Sequence, residues 1–197
     1  MRYRLIFLVI FSFYVNNLCA QNTPKLAKTK INDKITLGVP KDFTPMPQEA
    51  YKKKYGSNRQ PIAIYTSPDG KADLGINQMK NRLSSSQTKA DWKEEDLKIL
   101  HGMYKNSILA MHYKVDFVQD TILLINKRKF IVLEFVGTIQ DLDKDKNPVG
   151  NAVQQYSYLQ YLIEDNKVVI FNFTCPNRLR QMHENTASAV MKSIKIK

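Results

Sequence analysis

The chain has 197 residues, thirty lysines and arginines against eighteen acids, and a formal charge of +12. Two cysteines, one of them at position 19, exclude a disulfide-stapled scaffold once the N-terminus is set aside, so stability must come from packing. The charge excess favours anionic partners or surfaces without naming one.

MRYRLIFLVIFSFYVNNLCA has a basic start at Arg2 and Arg4, an apolar run from Leu5 to Val15 and a small residue at Ala20. That is signal-peptide anatomy, with cleavage expected near Ala20. The run is too short for a comfortable membrane span, and no later stretch reaches the roughly twenty apolar residues one needs. The mature chain is expected to be exported, periplasmic or extracellular, with no transmembrane segment. Lipidation of Cys19 is the weaker alternative, because Asn17 and Leu18 are poor neighbours for it. Gln21–Lys30 reads as a flexible leader, and residues 31–197 as one domain of ordinary size.

Lys34–Val39 is a short strand stopped by Pro40. Pro47 suits a helix start, and a helix to Tyr55 ended by Gly56 should turn Ala50 and Tyr51 inward and Lys52, Lys53 and Lys54 outward. Ile62–Thr66 and Ala72–Met79 flank the turn Ser67-Pro68-Asp69-Gly70 and predict a hairpin. Lys89–Met111 carries helical spacing, with Trp92, Leu97, Leu100, Met103, Tyr104 and Ile108 on one stripe and a bend expected at Gly102.

Long strands follow: Lys114–Ile125, Lys129–Gln140, Ala152–Ile163 and Lys167–Thr174, joined at Asn126-Lys127-Arg128 and Asp165-Asn166 by tight turns. Phe130, Val132 and Val136 share one parity, and Ile131, Leu133, Phe135 and Ile139 the other. In the neighbouring strand, Phe117, Leu123 and Ile125 alternate with Val118, Ile122 and Leu124. Both faces are apolar, so both need cover, and helices at Lys89–Met111 and Arg178–Ile194 must supply it. The expected fold class is α+β: a three-layer α/β/α sandwich around a central antiparallel sheet.

Ile35–Phe43 (ITLGVPKDF), the long-strand meander and the closing TASAVMKSIKIK (Thr186–Lys197) together resemble the PsbP-like and Mog1-like group of α/β/α sandwich proteins. That group includes photosystem accessory subunits, a binding partner of a small GTPase and exported bacterial proteins without assigned activity, the last being most similar in size and leader. The resemblance implies a binding or accessory role more than an enzyme. It carries over no partner-binding residue, since fold likeness alone transfers no function.

Candidate chemistry is sparse. In FNFTCPNRLRQ, Cys175 precedes Pro176, and a helix starting there would favour thiolate, as would Arg178 and Arg180. His183 would sit about 12 Å along such a helix, too far to act as its base. Val169, Phe171, Phe173 and Cys175 also share a strand parity, which makes the cysteine a core residue first and a thiol or hydrolytic nucleophile second. Asp141, Asp143, Asp145 and Asn147 have the alternating spacing that opens a calcium loop. Lys146 and Ala152, however, stand where an EF-hand needs glycine and a bidentate glutamate, so a polar loop is the stronger reading and weak calcium binding the alternative. Lys52, Lys53, Lys54 and Arg59 form a basic stretch that is either solvated surface or a contact for an acidic partner, with export arguing against nucleic acid. No phosphate loop, zinc spacing or nucleophile elbow is present in the sequence, and no cofactor is expected. The function class expected is an exported, non-enzymatic binding or accessory protein whose partner and oligomeric state the residues do not name.

Overall fold

Strands whose alternate residues are both apolar must be buried on two sides, and the computed structural model builds them that way. It describes residues 24–56, 60–80, 94–142, 148–164 and 167–197. In chain order the elements are β1 (Leu26–Lys30), β2 (Ile35–Pro40), β3 (Thr44–Pro45), α1 (Gln48–Tyr55), β4 (Ala63–Thr66), β5 (Asp73–Lys80), α2 (Glu94–Met111), β6 (Lys114–Ile125), β7 (Arg128–Leu142), β8 (Pro148–Glu164) and β9 (Lys167–Pro176). A short 3-10 turn (Asn177–Leu179), α3 (Arg180–Lys192) and β10 (Lys195–Ile196) close the chain. A seven-stranded antiparallel sheet runs β3-β4-β5-β9-β8-β7-β6, and a second sheet runs β1-β2-β10.

The large sheet is the middle layer. On one face Leu100 and Ile108 of α2 pack against Ile131, Leu133, Phe135, Tyr161 and Val168. On the other, Ala187, Val190 and Met191 of α3 join Ile35, Leu37 and Val39 of β2 over Phe130, Val132, Phe171 and Phe173. The expected three layers are therefore present, with the small sheet sharing one outer layer with α3.

Local chemistry explains the joins. Ser67 Oγ accepts the N–H groups of Ala72 (2.9 Å) and Lys71 (3.2 Å), closing the β4–β5 hairpin. Asn126 and Lys127, at φ 47° and 69°, make the two-residue β6–β7 turn whose twist matches antiparallel strands. Gly56 ends α1 at φ 60°, where a side chain would be strained.

Several expectations need correction. Leu26–Lys30, inside the expected leader, is a strand paired along β2 from Leu26↔Pro40 to Lys30↔Thr36. Ala50 is exposed, and α1 buries no residue. Met103 is exposed, and α2 passes through Gly102 as one helix; Trp92 lies outside the described residues. Phe117 packs with Ile122 and Phe135, because a bulge between Phe117 and Gln119 adds a residue and reverses the parity of the strand's first half. The closing helix stops at Lys192, and Lys195–Ile196 returns as an edge strand against β2.

Candidate functional site

Cys175 lies in β9 opposite Tyr156, 2 % exposed, on the face that carries Val169, Phe171 and Phe173. Pro176 is the last strand residue, and a 3-10 turn intervenes before α3 begins at Arg180. The expected helix start beside the sulfur is therefore absent, and with it the dipole that would favour thiolate. Burial pushes the thiol up to about 11. His183 rests its ring 6.0 Å from that of Phe173, and burial lowers its pKa.

Of the calcium-loop candidates, Asp141 is exposed near the end of β7, while Asp143, Asp145 and Asn147 lie outside the described residues. Among the described residues no three His, Cys, Asp or Glu side chains cluster as metal ligands. Lys52 and Lys53 project into solvent from α1. Lys54 does not belong with them: its Nζ is 2.7 Å from Asp73 Oδ2, a carboxylate buried at the start of β5, and donates to the Gly70 carbonyl at 2.7 Å. The Tyr55 hydroxyl donates to the same Asp73 oxygen. These two side chains tie a helix with no buried residue to the sheet. Arg59 lies outside the described residues.

The site with the most convergent chemistry is elsewhere. In the large sheet, α3 packs over β8 and β9, which leaves the β6–β7 corner of that face open. A cleft of about 470 Å³ results, lined by Val118, Gln119, Leu123, Leu124 and Ile125 of β6, Glu134 of β7, Tyr158 of β8, and Ser188 and Lys192 of α3. Arg180, Glu184, Ser188 and Lys192 are spaced four apart and so form one stripe along α3. The Arg180 guanidinium stands 5.6 Å from the centre of the Tyr156 ring, and its Nε donates to Glu184 at 3.0 Å.

Gln119, Glu134 and Tyr158 on the floor of the cleft belong to a short polar row in otherwise apolar strands, continued beneath the surface by Tyr156 and Gln160. Tyr156 donates to Glu134 Oε1 at 2.8 Å, and Tyr158 donates to Gln119 Oε1 at 3.1 Å. Burial, followed by the nearby Glu134 carboxylate, raises both tyrosine pKa values, so each hydroxyl stays a donor at neutral pH. One step further along β8, Gln160 is fully buried between Val132 and Phe171 in the register, and its amide has no partner within hydrogen-bond geometry among the described residues. The rim is apolar, with Leu124 72 % and Val118 47 % exposed. Such an arrangement can hold a ligand or side chain by hydrogen bonds and apolar contact.

Sequence reasoning missed this cleft because strand parity was read for apolar residues. The available signal was Glu134, Tyr158 and Gln160 standing at core-facing positions, where a polar side chain needs a reason.

No family model matches the chain, and no curated protein matches it. Solved structures do. The cyanobacterial PsbP (CyanoP) of Synechocystis sp. PCC 6803 aligns with a TM-score of 0.55 at 9% identity, over 91% of this chain and 96% of that one. LpqN of Mycobacterium tuberculosis, described as involved in cell envelope biogenesis, aligns at 0.52 and 13% identity, over 93% and 96%. The Saccharomyces cerevisiae Ran-binding protein Mog1p aligns more loosely, at 0.45 and 10% identity, over 88% and 96%. The first two establish for this chain the PsbP/Mog1-like fold that its sequence resembles, and at such identities they establish the fold alone.

Proposed function

We propose that this chain is an exported, non-enzymatic binding or accessory protein of the cell envelope, and that the cleft beside α3 seats its ligand or a partner's side chains. The observation that carries the reading is the cleft itself. The protonated Tyr158 hydroxyl, Gln119, Glu134, Ser188 and Lys192 converge there on about 470 Å³ under an apolar rim, which is recognition chemistry without a reacting group. Cys175, the strongest catalytic candidate by sequence, is buried and held as the thiol.

Export is supported by the signal-peptide anatomy of the first twenty residues, which predicts a mature chain beginning at Gln21. No helix among the described residues is long and apolar enough to cross a membrane. The likeness in fold to LpqN, a protein involved in cell envelope biogenesis, supports an envelope setting.

A photo-crosslinking residue at Leu124, on the cleft rim, tests the reading against one at Lys98 on the exposed face of α2. In the native envelope fraction a discrete adduct is expected from position 124 and not from 98. Turnover by the purified protein that disappears on Tyr158→Phe or Glu134→Gln would overturn the non-enzymatic reading.

A further inference from the structure

The outward face of the small sheet carries chemistry that the cleft does not use. Ile35, Leu37 and Val39 of β2 point into the core, so Thr36 and Gly38 point away from it. Lys30 and Lys195 flank Thr36 from the two neighbouring strands, and Lys28 pairs with Gly38. Directly opposed residues share a face, so the three lysines share this one, and all three are exposed. Lys34 and Lys197 stand exposed at its end, where the Lys197 N–H donates to the Lys34 carbonyl at 3.0 Å. From Leu26 to Pro40 and from Ser193 to Lys197 the sole acid is Asp33, which meets Lys30 at 2.6 Å in a solvent-exposed pair worth little.

We infer that this face is an electrostatic docking surface for an anionic lipid bilayer. Strand spacing puts Lys30 and Lys195 roughly 10 Å apart across Thr36, and Lys28 about 7 Å along from Lys30. These separations are comparable to a Debye length, so the charges repel one another in the free protein and act together on an anionic plane. The surface is one side of a three-stranded sheet rather than a groove, and its strand positions show no aromatic ring on which a base or sugar could stack. A planar anionic partner fits it better than a threaded polymer.

The chain's connectivity points the same way. Residues 1–23 lie outside the described structure and lead into β1, an edge strand of this sheet. Only Asn16 to Lys25 separate the apolar run Leu5–Val15 from Leu26, and ten residues span at most about 36 Å. Before cleavage near Ala20, while that run is held at a bilayer, the basic face is held near the same bilayer. The inference goes beyond the cleft, and the export proposed above enters only as the route to the membrane.

The test uses the purified full chain, with phosphatidylcholine vesicles containing or lacking phosphatidylglycerol, in a co-sedimentation assay. The triple variant Lys28→Gln, Lys30→Gln, Lys195→Gln is expected to lower partition onto the anionic vesicles by roughly 100-fold, since each basic residue near such a surface contributes about a factor of five. The equally charged control Lys52→Gln, Lys53→Gln, Lys98→Gln should lower it far less, and arginine at positions 28, 30 and 195 should preserve it. All variants keep the same N-terminal apolar segment, so its own affinity cancels in the comparison. Equal losses from both glutamine triples, indifference to phosphatidylglycerol, or binding to soluble dextran sulfate in place of vesicles would each overturn the inference. Failure of export leaves this assay unaffected, because it is read from the uncleaved N-terminus in cells.

Discussion

Whether Cys175 is a nucleophile or a packing residue separates an enzyme from a binding protein, and it has a measurable magnitude. A thiol whose pKa is pushed up to about 11 is ionised at pH 7.5 roughly 300-fold less than a free cysteine of pKa about 8.5. At 2 % exposure, reagent access requires an opening of the β9–α3 interface as well. In a Cys19→Ser background, DTNB should therefore label the folded protein at least about 300-fold more slowly than the same protein in guanidinium. Labelling of the folded protein at the free-thiol rate would refute the argument. The linkage sign gives a second readout. The folded pKa lies above the unfolded one, so the contribution is complete below about pH 8.5 and is lost as pH rises toward 11. The loss reaches at most about 3 kcal/mol. Cys175→Ala should flatten that alkaline slope relative to wild type while costing about 1 kcal/mol of packing at neutral pH. Cys175→Ser should cost more, about 2 kcal/mol, because it buries a hydroxyl beside Phe173.

Three further expectations concern the scaffold. Asp73→Ala removes the buried acceptor shared by Lys54 and Tyr55, and because Lys54 can reach water the cost should fall near 2 kcal/mol in urea unfolding; a value under about 0.5 would mean that α1 is held otherwise. At Gly137 an added Cβ would lie 2.3 Å from His112 Cδ2, which displaces a ring packed edge-on to Phe135, so Gly137→Ala should lower stability by about 1–2 kcal/mol by thermal melting and much less in a His112→Ala background. Burial pushes the Asp120 carboxyl up, but hydrogen bonds from Lys105 and His101 hold it below its usual value. Its contribution is therefore present above about pH 4 and lost as pH falls through the lowered folded value, and Asp120→Asn should shorten the acid limb of the stability profile by under about 1 kcal/mol.

Periodicity made the sheet legible. The two parities of β7 separate into the two core clusters, Phe130, Val132 and Val136 on one side and Ile131, Leu133 and Phe135 on the other, while Ile139, expected with the second set, is exposed where the strand runs past the core. β6 escaped the same reading at Phe117, since a bulge shifts the pairing by one residue without a glycine to announce it. β1 and β10 escaped for a different reason. LAKTK and KI have no buried run of their own, and they are strands because β2 offers a partner on each side. Local sequence does not encode what a neighbouring edge supplies. The cleft was half legible: Glu134 inside Leu133-Glu134-Phe135 is a polar residue at a core position, but which corner of the sheet α3 leaves open depends on how the helix packs.

That packing also joins the two surfaces. Ser193 follows the last turn of α3, donates to the Val190 carbonyl at 2.6 Å, and accepts the Gly38 N–H at 2.7 Å. One hydroxyl thus fixes the end of the helix to the middle of β2. On one side of it Lys192 lines the cleft; on the other, beyond the buried Ile194, Lys195 stands on the basic face. The cleft and the lysine face are therefore separated by two residues of chain with no freedom to turn independently. Docking of the small sheet on an anionic plane would set the orientation of the cleft relative to that plane. A Ser193→Ala variant that loosens this join should leave vesicle binding intact while weakening the dependence of any cleft contact on the membrane, which distinguishes one coupled surface from two independent ones.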